Sequence, residues 1–206
     1  INHENVALKV VSLINLGKTQ QSDQVLSILF KHLEISSWNN SVLNAAITSL
    51  GDLIEPVNQI TNELVKFSTS PRNHFQTKLY ALEGIMKHAP YLNEDQRLKL
   101  IPQIEALLYD DNQSVILKSV QTLSSLKSSQ SRSLVDVIAG RLSFGNRVGL
   151  QKILETYGKE DSLNKEMIQL KKDLLEINNK NKELQEKVLK MESVIFPPSN
   201  DKKNQK

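Results

Sequence analysis

The stretch Val42-Leu43-Asn44-Ala45-Ala46-Ile47-Thr48-Ser49-Leu50-Gly51-Asp52-Leu53 decides the fold. Its apolar residues recur every three or four positions, as on one face of a helix, and small residues occupy its middle. Three further segments share the pattern of an apolar residue at or next to the start, small residues in mid-course and a leucine toward the end. They are Leu8–Thr19 (LKVVSLINLGKT), His74–Ile85 (HFQTKLYALEGI) and Val115–Leu126 (VILKSVQTLSSL), and the four starts lie 34, 32 and 41 residues apart. A second amphipathic helix fills each gap: Asp23–Leu33, Val57–Phe67, Asp95–Tyr109 and Ser133–Leu142. One helix pair every 30 to 45 residues is the period of an α-solenoid. A non-repetitive bundle would need those spacings to coincide. A degenerate fifth copy, Asn146–Tyr157, is expected to cap the stack. The fold class is therefore all-α, with about four to five helix pairs over residues 1–158. Ala45, Ala46, Ala81 and Ser119 are expected to let neighbouring helices approach closely.

Local punctuation agrees with helices. Ser22 and Asn93 stand where N-caps would stand, and Asp110 with Gln113 three residues on suggests a capping box. Gly17, Gly51 and Gly158 are expected at helix ends, where a left-handed residue costs glycine least. Pro56 and Pro71 suit first-turn positions and Pro90 a helix end, while Pro102 predicts a kink or a split within Asp95–Tyr109.

From Leu163 onward the pattern changes to an alternation of four- and three-residue steps that runs to Ile195. This is a heptad seam with Met167, Leu174, Asn181 and Val188 at a and Leu170, Ile177, Leu184 and Met191 at d. Residues 159–195 are predicted to form a coiled-coil helix, and residues 196–206, after Phe196-Pro197-Pro198, a disordered tail. A lone asparagine at a weakens a coiled coil but favours parallel dimers, because two facing asparagines pair in one register only. The flanks agree, since Glu166 would face Lys171 of a second copy, Lys187 would face Glu192, and no pair is repulsive. A homodimer through this seam and a helix folded back on the solenoid both remain open here.

Chemistry is sparse. The chain has no cysteine, so thiolate metal sites, disulfides and cysteine nucleophiles are excluded. None of His3, His32, His74 and His88 begins an HExxH motif, and Gly140, Gly145 and Gly149 lack the Lys-Ser/Thr ending of a phosphate loop. Asp110-Asp111 is read as helix-start chemistry rather than an acid–base pair. Trp38, in a polar turn, is expected to cover a junction between repeats. No catalytic, metal or cofactor residue is assigned. Lys and Arg number 26 against 23 acidic residues, and the part from 159 onward holds 11 lysines against 9 acids. Neither part has the one-sided charge with interleaved aromatics of a nucleic-acid surface, and no apolar run approaches the roughly 20 residues of a membrane helix. Protein or peptide is the expected partner, with no nucleic acid and no membrane. The chain starts at Ile1 without a signal-peptide pattern, and reads as a cytoplasmic fragment of something larger.

The repeats resemble HEAT repeats. The layout is similar to the C-terminal helical region and heptad tail of aminopeptidase-N-like zinc metallopeptidases. Ala46-Ile47-Thr48-Ser49-Leu50-Gly51-Asp52-Leu53 looks like that family's repeat helix, and Leu107-Leu108-Tyr109-Asp110-Asp111-Asn112-Gln113-Ser114-Val115 like its turn into the last repeat. Asn146-Arg147-Val148 and the tail from Glu160 follow in the same order. The arginine common after the repeat's first valine is missing, with Lys9, Leu43, Phe75 and Ile116 in its place. The resemblance implies a non-catalytic accessory domain that covers a catalytic domain and shapes peptide access. Zinc and its HExxH helix would belong to the parent, upstream of Ile1. It also implies an alternative, a protein-binding adaptor like the aminopeptidase-like scaffold subunit of the general transcription factor TFIID.

Overall fold

A computed structural model describes residues 5–19, 23–35, 37–128 and 131–156, and in the C-terminal part 170, 173–174, 176–178 and 180–188. The chain divides into two compact units, Ile1–Lys159 and Glu160–Lys206. All regular structure among the described residues is helical. The first unit holds α1 (Val6–Thr19), α2 (Asp23–His32), α3 (Ser41–Asp52), α4 (Val57–Thr69), α5 (Phe75–His88), α6 (Glu94–Ala106), α7 (Gln113–Ser125), α8 (Arg132–Ala139) and α9 (Phe144–Thr156). Single 3-10 turns occupy Trp38–Asn40, Ala89–Tyr91 and Leu107–Tyr109.

The odd helices pack in a row, α1 on α3, α3 on α5, α5 on α7 and α7 on α9. Beside them α2 lies against α3, α4 against α5 and α6 against α7. The side chains that close this row recur at matching positions. Val42, Thr77 and Val115 open the buried face of α3, α5 and α7. Ala46, Ala81 and Ser119 follow, then Ile47, Leu82 and Val120, then Leu50, Ile85 and Leu123. Leu53, His88 and Leu126 close it. This register corrects the third copy, which runs from Thr77 to His88 rather than from His74 to Ile85. A three-residue slip keeps an apolar residue on nearly the same helix face, so Leu82 imitated Ile85 in the sequence pattern.

Small residues do more than the alanines suggest. Gly17 and Gly51 lie within α1 and α3 and do not end them. A Cβ on Gly17 would stand 2.7 Å from the Ser49 carbonyl oxygen, and one on Gly51 would stand 2.7 Å from Gly84 Cα. These glycines are there because backbone meets backbone, not because a turn needs a positive φ. Gly51→Ala should therefore cost about 1–3 kcal/mol through overpacking, even though alanine is the better helix former. Thermal melts of Gly51→Ala and of the unobstructed Gly145→Ala, where nothing stands within 4 Å of the added carbon, provide the comparison.

Helix ends follow elementary capping, with departures at several of the expected positions. Asn93 and Gln96 form the capping box of α6, each side chain accepting from the other's backbone N–H at 2.9 Å. At α7 the cap is Asn112, whose Oδ1 accepts from Ser114 N, while Asp110 accepts from Asn112 N one step earlier. Asp110 is thus displaced from the capping role by the residue that reaches the helix. Pro56 is the N-cap of α4 and Pro71 lies in the turn before α5, so neither is in a first turn. Pro102 sits inside α6, which continues through it as one helix to Ala106. The residue is exposed, so solvent can serve the carbonyl that the missing N–H leaves without a helical partner. α7 closes in a Schellman motif, with Ser128 N donating to Leu123 O and Lys127 N to Ser124 O. Lys127 holds the left-handed position at φ 59°, where glycine is usual.

In the second unit the described residues are helical, including seam residues Leu170, Leu174, Ile177, Asn181, Leu184 and Val188. Met167, Met191, the tail 196–206, Ser22, Gln130, Gly158 and the side chain of Trp38 lie outside the described residues.

Candidate functional site

The described histidines are each held by local structure. His32, on α2, is buried with Nδ1 2.7 Å from the Ile28 carbonyl, to which it donates. His74 is the exposed N-cap of α5, its Nδ1 accepting from Gln76 N. His88 closes α5 at 1% exposure. Its Nε2 lies 2.7 Å from the Leu53 carbonyl oxygen and its Nδ1 3.0 Å from Thr61 Oγ1. A carbonyl only accepts, so the proton is on Nε2, and Thr61 donates to Nδ1. Burial pushes the imidazole pKa from 6.5 down to about 4, against an upward pull from the Leu53 and Leu50 carbonyls. Lys87 adds to the lowering and Asp52 opposes it. The ring therefore joins α3, α4 and α5 as a neutral group.

Asp110 and Asp111 do not work as a pair. Asp110 binds Lys78 Nζ at 2.6 Å, with both side chains 12% exposed, while Asp111 is exposed. Similar ties cross the row of odd helices: Lys87 to Asp52 at 2.7 Å, Lys118 to Glu83, and Ser49 Oγ to the Leu13 carbonyl at 2.6 Å. These groups are spent on joining helices. Among the described residues no three His, Asp or Glu side chains are grouped to hold a metal ion. No described helix is long and apolar enough to cross a membrane.

Two surfaces could take a partner. Between α4 and α6 an open groove of about 420 Å³ is lined by Gln59, Asn62, Glu63, Lys66 and Thr69 over Val65, with Gln103 opposite. Lys66 and Glu63 are paired at 2.5 Å, which leaves the lining without net charge. Carboxamides both donate and accept, so this lining suits peptide backbone better than an ionic ligand. Sequence reasoning passed over these residues, although polar side chains at positions 59, 62, 66 and 69 mark the outward face of α4. The second surface is the heptad stripe, where Leu170, Leu174, Ile177, Leu184 and Val188 are 47–62% exposed.

No protein-family model, no curated protein and no solved structure matches this chain.

Proposed function

We propose that residues 1–158 form a HEAT-like α-solenoid acting as the non-catalytic accessory domain of an aminopeptidase-N-like zinc metallopeptidase, where it covers the catalytic domain and shapes peptide access. One observation carries the solenoid part of this reading. The same buried positions recur in α3, α5 and α7, so each helix is built to meet its neighbours in a row. The parentage rests on the resemblance of Ala46–Leu53 and Leu107–Val115 to that family. Within this reading the neutral α4–α6 groove is a place for a peptide to pass or rest, and zinc would be bound by the parent alone.

The test is direct. The purified chain is expected to release no fluorophore from an aminoacyl substrate and to retain no zinc after dialysis, since a catalytic zinc takes three protein ligands. Stoichiometric zinc, or turnover by the pure chain, overturns the non-catalytic assignment. Sequence upstream of Ile1 tests the parentage: HExxH supports it, and further helical repeats in its place overturn it in favour of an adaptor or scaffold. The exposed heptad stripe is the observation that favours that second reading, because a scaffold needs a means of assembly.

A further inference from the structure

We infer that the heptad helix pairs in parallel and in register with the same helix of a second copy, so that both chains enter the pair at the same end. The inference does not rest on the metallopeptidase reading, and its failure leaves that reading where it stands. The surface is available: every described seam leucine, isoleucine and valine is about half exposed or more, on a single stripe. Four heptads of alternating four- and three-residue steps decide what covers it. A straight helix drifts about 20° per heptad away from a strict seven-residue repeat, so a stripe lying on straight neighbouring helices would wander around the helix. A repeat that does not wander is matched by a partner that supercoils with it, and an identical helix does so along its whole length.

Asn181 then sets orientation and register. In a parallel, in-register pair it faces the partner's Asn181, and each amide can donate to the other. In an end-aligned antiparallel pair it would face Ile177 of the other helix, and a slip of one heptad would place it against Leu174 or Val188. Each arrangement buries an amide without a partner, which costs more than the net worth of the hydrogen bond it forgoes. Charge agrees with the same choice. Glu166 to Lys171 and Lys187 to Glu192 are attractive across the parallel pair, and the two remaining pairs, Asp173 with Asn178 and Lys180 with Gln185, are free of repulsion. Lys180 is moreover held by Glu176 of its own helix at 2.6 Å.

Because the chain has no cysteine, one introduced residue reads the geometry without background. The full chain should sediment as a dimer at tens of micromolar. Leu170→Cys, at d near one end of the seam, should convert most of that dimer to a disulfide-linked species in a glutathione redox buffer, since parallel d residues approach within disulfide reach. Asn181→Ile should melt higher while sedimenting as a mixture of oligomers. A monomer at that concentration overturns the pairing. A disulfide formed only when Leu170→Cys and Val188→Cys chains are mixed overturns the parallel orientation. A trimer or larger assembly, which the apolar b residues Ile168, Leu175 and Leu189 could serve, overturns the dimer.

Discussion

Leu50→Ala and Leu123→Ala should each destabilise the Ile1–Lys159 unit by about 2–5 kcal/mol. Both side chains are fully buried, at 0% exposure, and occupy the same position of the repeat. Truncation removes the transfer energy of the lost carbons and leaves a cavity, which at Leu50 lies beside helices that a glycine contact holds at fixed distance. The cavity cannot collapse by sliding α3 toward α5, because Gly51 already meets Gly84 backbone to backbone. Lys127→Ala is the control: the residue is exposed at the end of α7, and its replacement should change stability by less than about 0.5 kcal/mol. Urea unfolding followed by circular dichroism separates the two classes. Equal midpoints for Leu50→Ala and Lys127→Ala would show that the repeat register is misplaced.

Acid should loosen the same unit through His88. The imidazole is neutral in the fold, with its pKa near 4, and titrates near 6.5 when the chain is unfolded. Between these values the unfolded chain binds a proton that the folded chain refuses. The stabilisation is therefore complete above about pH 6.5 and is lost as pH falls toward 4, amounting to about 3 kcal/mol at the acid end. Protonation would place a charge among α3, α4 and α5 and remove the acceptor that Thr61 uses. The ionisable neighbours are Asp52 from α3 and Lys87 from α5, already paired with each other. His88→Leu copies the residue found at Leu53 and Leu126. It should cost stability at pH 7, where the Leu53 carbonyl loses its donor, and should flatten the loss between pH 6.5 and 4. Stability curves of the two proteins that stay parallel through that window would refute the assignment to His88.

Much of this was legible in the residues. The three- and four-residue periodicity of Val42–Leu53 and its relatives predicted helices whose observed bounds differ by a few residues, and Asn93 announced the start of α6. Where reading failed, it failed for lack of a neighbour. Gly17 and Gly51 carry no local mark that separates a helix end from a close crossing. Asp110 loses the cap to its near neighbour Asn112, but its ion pair with Lys78, thirty-two residues earlier in the chain, has no local mark.

The sequence by itself determined the helical class, the recurrence of helix pairs, the absence of thiol chemistry and the heptad seam, because each depends on composition or on periodicity along one chain. Tertiary structure alone decided which three-residue register α5 adopts, why glycine stands at 51 and 84, and that a histidine completes a buried position otherwise held by leucine. Those are properties of facing surfaces. A helix presents several nearly equivalent apolar faces, and only the volume and hydrogen-bonding groups of the helix opposite select among them.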